Sequence, residues 1–187
     1  MEQTTSAKTP FTPEHTLLVI VDPQEKFRKV ISAMDRIINN TSKLIRAAQL
    51  LDIPILVTRQ HPEKLGDIVT ELQDLATTPI DKQSFDCFED ASFSKKVTAL
   101  QRSHLMICGI ESHICIFQTA IHAKSKGFTT HLIADAISSR KQIDHDIALQ
   151  RMSMEGVHIA SAEMVLFQLM KDAQHPMFRQ ICSRVTE

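Results

Sequence analysis

The chain has 187 residues, of which 43% are hydrophobic and 23% are charged. This composition is typical of one globular domain and excludes a fibre or a disordered segment. The formal net charge is −1, with both signs interspersed along the chain, which does not favour binding to nucleic acid or to an anionic membrane. No apolar run approaches the roughly 20 residues that a membrane span needs. We therefore expect neither a nucleic-acid partner nor a membrane partner.

The cysteines indicate free thiols. None of the four forms a CxxC pair, and no Cys/His cluster has the spacing of a zinc site, so we expect no structural metal. The polar N-terminus has no apolar core of a signal peptide, which together with free thiols favours a reducing, cytoplasmic location. The four cysteines are Cys87, Cys108, Cys115 and Cys182.

After a leader at 1–14 that we expect to be flexible, strand and helix patterns alternate. Short apolar runs typical of buried parallel strands occur at 17–21, 54–57, 104–108, 128–134 and 157–159. Helical patterns lie at 35–51, 94–101, 112–126, 144–155, after Ser161 and near 175–182. The stretch 58–79 predicts an elaborated loop with a short helix near 68–75.

This alternation predicts a single α/β domain at 15–187, with a parallel sheet covered by helices on both faces and joined by right-handed crossovers. In such folds the functional site lies beyond the C-terminal ends of the strands. Reactive side chains at predicted strand ends are therefore the first candidates for chemistry.

Three residues meet that criterion, each with a simpler alternative. Asp22 follows the first strand, where burial can adapt a carboxylate to act as a general base, or where it only ends the strand. Cys115 begins a helix after a strand, where the helix dipole favours a thiolate and backbone amides can form an oxyanion hole; otherwise it is a core cysteine. Lys82 could stabilise charges in the site, although most lysines are simply solvated.

Other catalytic motifs are missing from the sequence. His61 has no second ligand at metal-site spacing nearby, and His113 and His122 are nine positions apart, so they do not share a helix face. There is no GxSxG elbow, no GxGxxG and no P-loop, which argues against a serine triad and against dinucleotide or ATP enzymes. We therefore expect neither a metal nor an organic cofactor.

Taken together, these segments resemble the isochorismatase-like hydrolases, and most closely the isochorismatase domain-containing proteins. The likeness rests on the strand followed by Asp-Pro-Gln-Glu-Lys-Phe at 17–27, on Lys82, and on Gly-Ile-Glu-Ser-His-Ile-Cys at 109–115. It extends to 58–66 and 135–140 and covers roughly 15–180. Three blocks in the right order are far more specific than any one of them alone.

The resemblance implies a doubly wound, three-layer αβα fold around a six-stranded parallel sheet, with a catalytic triad of Asp22, Lys82 and Cys115. In amide-hydrolysing members of the family, the aspartate takes the thiol proton and returns it to the leaving amine. The cysteine attacks the carbonyl, and the lysine supports the charges. The family also implies a homo-oligomer.

The resemblance assigns further residues to the substrate and the oxyanion. It implies a non-proline cis peptide between Ile110 and Glu111, which would turn a backbone amide toward the oxyanion together with the amide of Cys115. Phe27 matches a pocket-lining aromatic. Gln24 and His113 complete the set of residues that we expect near the substrate.

The chain departs from the family pattern at the metal site of the nicotinamidases. Arg59 stands at the place of the metal-binding aspartate, His61 remains, and the second histidine ligand is absent. True isochorismatases do not need the cysteine. We therefore expect a metal-independent cysteine hydrolase that cleaves a small amide, ester or related C–N substrate through an acyl (thioester) intermediate. The alternatives are a weakly active or inactive binding or scaffold protein on the same fold and a thiol-based redox role.

Overall fold

The structure is a computed structural model that describes residues 9–75 and 77–185, with the backbone alone at 184 and 185. Six parallel strands form one sheet in the order β3-β2-β1-β4-β5-β6. Their bounds are β1 Thr16–Val21, β2 Ile55–Gln60, β3 Ile80–Lys82, β4 His104–Ile110, β5 Thr129–Ser138 and β6 His158–Ala160.

Helices cover both faces of this sheet, which confirms the predicted α/β architecture. Among these helices α1 contacts α7 and α8, and α5 contacts α6. Within the described ranges, no helix is both long and apolar enough to cross a membrane. The helices are α1 Met34–Leu50, α2 Pro62–Leu65, α3 Thr70–Gln73, α4 Ala91–Leu100, α5 Phe117–Ser125, α6 Gln142–Met154, α7 Ala162–Met170 and α8 Phe178–Val185.

The two central strands place the functional site. Every residue of β1 and of β4 is buried, because both faces of these strands are covered by helices. The strand order reverses between β1 and β4: the chain moves outward to β2 and β3 on one side and to β5 and β6 on the other. A crevice opens at such a reversal, beyond the C-terminal ends of the strands.

The hydrophobic pattern missed the third strand. The segment Ile80–Lys82 lies after a stretch that we expected to be irregular, and it has an exposed residue at its centre. It pairs with the end of β2, where Gln60 lies opposite Lys82. The expected loop at 58–79 therefore begins later, because β2 continues to Gln60. Similarly, β5 runs to Ser138, beyond the predicted end at 134.

The described part of the predicted leader packs on the domain. Residues 1–8 lie outside the described residues. Phe11 stacks on the ring of His131 with centroids 4.2 Å apart, and the Nε2 atom of His104 lies 2.9 Å from the Thr9 carbonyl. Burial lowers the pKa of His104 and lowers the pKa of His131 to about 4. Both rings are therefore neutral at pH 7, and they hydrogen-bond to each other at 3.1 Å.

Gly109 allows β1 and β4 to approach closely just before the site. Its φ is +115°, and a Cβ atom at this position would lie 2.0 Å from the carbonyl oxygen of Val21. Val21 is the last residue of β1, so the contact lies directly beside Asp22. Only glycine fits here, because any side chain would push the backbone of β4 away from β1.

We predict that Gly109→Ala destabilises the protein far more than a glycine substitution in open space. The expected loss is roughly 3 kcal/mol or more of unfolding free energy, because backbone atoms must shift to accept the methyl group. Gly127→Ala is the matched control: it has φ +90° and no atom within 4 Å of the added Cβ, and we expect a cost of about 1 kcal/mol. Urea unfolding followed by circular dichroism measures both values. Equal losses would contradict the close approach of the strands.

Candidate active site

Asp22 directly follows β1, at the C-terminal edge of the sheet, as the sequence predicted. Its backbone has φ 51°, a left-handed conformation that costs most non-glycine residues energy but that aspartate tolerates better than most. The carboxylate is 1% exposed. Its Oδ1 accepts a hydrogen bond from the Thr58 hydroxyl at 2.7 Å, and its Oδ2 accepts one from the Lys82 ammonium at 2.7 Å. Both oxygens are therefore held in place.

Lys82 is buried beside Asp22 at the end of β3. Its Nζ donates to Asp22 Oδ2, to Gln60 Oε1 at 2.6 Å and to the Ser84 carbonyl at 3.2 Å. An ammonium has three donors, so all of them are occupied. Burial acts to lower the pKa of Lys82, but the charge of Asp22 and the nearby thiols outweigh it and the pKa is raised. Lys82 is therefore charged at neutral pH.

Cys115 lies in a π-helical turn, Ser112–Ile116, that leads into α5. It is 6% exposed, and its thiol lies close enough to Asp22 and Lys82 for both charges to affect its pKa. Burial raises the pKa of Cys115 and the charge of Asp22 raises it further, while Lys82 acts in the opposite direction. The net shift is upward. The start of a helix alone favoured a thiolate, but these surroundings outweigh the dipole and keep the thiol protonated.

The three side chains thus form a neutral unit of one carboxylate, one ammonium and one thiol. The carboxylate is close enough to the thiol to raise its pKa, and a carboxylate beside a thiol can take its proton. The resulting thiolate would lie near the ammonium, which stabilises it. This arrangement can supply a nucleophile and a proton carrier to a carbonyl substrate.

The residues just before Cys115 are tied to the segment between β5 and α6. The Ile110–Glu111 peptide is cis, as the resemblance implied. The Glu111 carboxylate accepts from the backbone N–H and the Nε of Arg140, at 2.9 and 3.0 Å. His113 Nδ1 lies 2.9 Å from the hydroxyl of Ser139. The side chains of Glu111 and His113 thus make protein contacts that hold this turn in place.

The Ser112 hydroxyl makes a further contact of this kind. It lies 2.9 Å from Nδ1 of His145 on α6, and both residues are buried. Burial lowers the pKa of His145, so its ring is neutral at pH 7. This bond anchors the turn Ser112–Ile116 to α6, and the spacing of the two residues in sequence gave no sign of it.

The two predicted substrate residues after Asp22 differ in their surroundings. Gln24 is fully buried, and its side-chain amide bonds to backbone groups of Gln60 and Gly66. Phe27 lies in a 3-10 turn, Glu25–Lys29, and packs partly buried against the core. The Gln24 amide therefore has its hydrogen bonds inside the protein, whereas Phe27 is only partly buried.

Sequence reasoning missed Thr58 and Gln60. Both are buried polar residues that bond to the triad, from alternate positions at the end of β2. Successive side chains of a strand point to opposite faces, so two polar residues at i and i+2 share one face. That period-two polar pattern, just after the apolar run at 54–57, was the available signal.

The other cysteines lie in different surroundings. Cys87 is fully buried, with its Sγ 3.9 Å from the Thr58 hydroxyl, and burial raises its pKa to about 12. Burial also raises the pKa of Cys108, within β4, to about 12. Cys182 is partly exposed on α8. Of these three, only Cys87 is near the triad.

The region of the nicotinamidase metal site carries an ion-pair network instead. Arg59 bonds to Asp81 at 2.7 Å and to Asp67 at 2.8 Å. These two carboxylates raise the pKa of its guanidinium, which is therefore permanently charged. A guanidinium at this place repels a metal cation.

A group that could hold a metal lies elsewhere among the described residues. Ligand atoms of Asp86, Glu89 and His122 lie within 4.8 Å of one another. The Nδ1 atom of His122 is already 2.5 Å from a carboxylate oxygen of Asp86. That the chemistry at Cys115 needs no metal stays a prediction.

Comparison with known proteins gives one consistent family. A model of the isochorismatase domain matches residues 16–164. Isochorismatase domain-containing protein 2A of Mus musculus is 37% identical over 176 residues, covering 94% of this chain and 84% of its own. The secreted isochorismatase effector Isc1 of Phytophthora sojae is 33% identical, covering 94% and 86%.

Solved structures have the same fold. The structure of a MAR1 ribonuclease from Caenorhabditis elegans superposes with a TM-score of 0.90 and 29% identity, over 96% of this chain and 93% of that one. The YcaC gene product from Escherichia coli, described as an octameric hydrolase of unknown specificity, superposes with a TM-score of 0.84 and 21% identity, over 97% and 98%. The chain therefore belongs to the isochorismatase domain family, as its three sequence blocks predicted.

Proposed function

We propose that the protein is a metal-independent cysteine hydrolase that cleaves a small amide, ester or related C–N substrate. The observation that carries the proposal is the buried ion pair of Asp22 and Lys82, at 2.7 Å, next to the buried thiol of Cys115. Membership of the isochorismatase domain family supports a hydrolase. The triad and the substrate class belong to the proposal alone.

In the proposed reaction Asp22 takes the proton from the Cys115 sulfur as that sulfur attacks the substrate carbonyl. A C–S bond forms, and the carbonyl electrons move to oxygen. When they return, the C–N or C–O bond breaks, and Asp22 gives its proton to the leaving group. A water molecule then attacks the thioester while Asp22 takes its proton. Expulsion of the thiolate releases the acid, and the proton returns to Cys115. Lys82 stays charged throughout and stabilises the thiolate.

The surroundings of Cys115 favour a small substrate. The thiol is 6% exposed, so only a slender acyl group reaches it without rearrangement. The net charge of −1 gives no overall positive charge to attract an RNA backbone. We therefore do not propose ribonuclease activity, which the description of the C. elegans neighbour names, for this chain. Cleavage of RNA that depends on Cys115 would contradict the proposed small substrate.

The low exposure of Cys115 also suits a second candidate, a binding or scaffold protein that keeps the pair of Asp22 and Lys82 only for its structure. Such a protein would bind a metabolite or a partner without turnover. In a hydrolase the triad variants change the chemistry at Cys115. In a binding protein they would change only the stability.

We predict opposite effects of two triad variants on the reactivity of Cys115. Asp22→Asn removes the negative charge that disfavours the thiolate and leaves Lys82, so alkylation by iodoacetamide at pH 7 becomes faster, by about tenfold or more. Lys82→Met leaves the carboxylate alone beside the thiol, so alkylation becomes slower. Both variants lose hydrolysis of p-nitrophenyl acetate, by on the order of 10²-fold or more, because each lacks part of the proton-transfer unit. Peptide mass spectrometry and absorbance measure the two quantities.

Cys115→Ala and Cys182→Ala are the controls for this experiment. Cys115→Ala must abolish both the iodoacetamide adduct at this position and the hydrolysis of p-nitrophenyl acetate, whereas Cys182→Ala must leave both unchanged. Equal slowing of alkylation by the two triad variants would show that the charges do not set the reactivity of the thiol. Wild-type levels of turnover in Cys115→Ala would overturn the cysteine mechanism.

We also propose that the protein is a homo-oligomer in a cytoplasmic compartment. The E. coli neighbour is described as octameric, and α6 exposes three apolar side chains on one face: Ile143, Ile147 and Met154, at 60%, 48% and 80%. The compartment rests on the free thiols and stays a prediction, since the P. sojae relative is described as secreted.

We predict that light scattering gives a mass that is a multiple of the 21.1 kDa chain mass. Ile147→Asp should lower that mass, because a charge on the exposed face of α6 is costly to bury in an interface. Phe85→Asp, at a second exposed apolar residue, is the control and should leave the mass unchanged. A monomeric wild-type mass would contradict the oligomer, and an unchanged mass of Ile147→Asp would exclude this face of α6.

A further inference from the structure

We propose that Gln60 is a positioning residue that holds Lys82 in the geometry required for thiolate formation at Cys115. The inference rests on the proposed function, because it concerns the reactive state of the same triad. Gln60 is in a stretch that the sequence predicted to be a loop, and its bond to Lys82, at 2.6 Å, is the shortest of the three hydrogen bonds of the ammonium.

The side chain of Gln60 has only one orientation that suits its surroundings. It is 8% exposed. Its Oε1 accepts from Lys82 Nζ at 2.6 Å, and its Nε2 donates to the Gln83 carbonyl at 2.6 Å. Rotating the amide by 180° would place N–H groups against the ammonium and an oxygen against a carbonyl. An acceptor is therefore fixed opposite the Lys82 ammonium.

The backbone of Gln60 is fixed as well. Its N–H donates to Gln24 Oε1 at 2.8 Å, and its carbonyl accepts from Gln24 Nε2 at 3.1 Å. The same Nε2 bonds to the Gly66 carbonyl at 2.7 Å. Across the sheet, Gln60 lies opposite Lys82 in the register of β2 and β3. Gln24, which the sequence placed near the substrate, thus contacts Gln60, and Gln60 contacts Lys82.

This arrangement holds the ammonium among three acceptors: Asp22, Gln60 and the Ser84 carbonyl. A lysine side chain is long and flexible, and without Gln60 the charged group would be left with Asp22 and the Ser84 carbonyl. One buried N–H would lose its partner, which disfavours the ammonium, and the remaining charge would move toward Asp22. Both effects leave less positive charge for a thiolate at Cys115. The expected result is a thiol that is harder to ionise.

The test uses the full-length protein with Gln60→Met, which keeps the length of the side chain and removes its amide. We expect the pH inflection of Cys115 alkylation by iodoacetamide to rise by about one pH unit, the equivalent of one lost hydrogen bond to a charged group. For p-nitrophenyl acetate we expect kcat to fall by on the order of 10²-fold, while KM changes by less than about twofold. Gln168→Met, at an exposed position of α7, is the matched control and should match the wild type.

Gln60→Glu is the second variant. It keeps an acceptor for the ammonium and is close to the same size, but its negative charge also disfavours the thiolate. We expect it to raise the inflection as well. A purely structural role for Gln60 would instead lower the melting temperature without moving the inflection or separating kcat from KM.

Several outcomes overturn the proposal. They are an unchanged inflection in either folded variant, an unchanged kcat in Gln60→Met, or failure of both variants to fold where Gln168→Met folds. The proposed function fails separately, if Cys115→Ala keeps wild-type turnover. Loss of turnover in Cys115→Ala together with wild-type behaviour of Gln60→Met would leave the hydrolase standing and remove only the role of Gln60.

Discussion

The ion pair of Asp22 and Lys82 spans three strands of the sheet. Asp22 follows β1 and Lys82 ends β3, and the strand between them supplies Thr58 and Gln60 as hydrogen-bond partners of the two charges. Removing two charges from water is expensive, and a buried pair survives only where its remaining donors and acceptors are also satisfied. Here both carboxylate oxygens and all three ammonium donors have partners. The register of β1, β2 and β3 therefore fixes the electrostatics of the site.

The state of Cys115 follows from that pair. Burial and the charge of Asp22 raise the pKa of the thiol more than the charge of Lys82 lowers it, so the thiol stays protonated at rest. In the proposed reaction the thiol becomes reactive only when Asp22 takes its proton. The close approach at Gly109 and the bonds of Glu111, Ser112 and His113 to the β5–α6 region hold the turn that presents this sulfur. A small shift of the end of β1, β2 or β3 would therefore change how Asp22 and Lys82 act on the thiol.

The sequence was informative where a residue's role follows from its position in an element. Asp22 and Cys115 could be proposed because Asp22 follows an apolar strand and Cys115 begins the helix after another, and the family blocks then supplied Lys82. The third strand was missed because only one of its three residues, Ile80, is apolar. The role of Gln24 could not be predicted, because its partners are backbone groups 36 and 42 positions away. The polar alternation of Thr58 and Gln60 was visible but looked like the start of a loop.

The proposed chemistry requires a covalent bond between the substrate acyl group and Cys115. The most direct measurement is the intact mass of the protein quenched during turnover of p-nitrophenyl acetate, followed by peptide mapping. We predict one added acetyl group on the peptide that contains Cys115, which forms and decays at rates consistent with turnover and is absent from Cys115→Ala. Turnover without this adduct, or an acetyl group that lies only on Cys87 or Cys182, would contradict it.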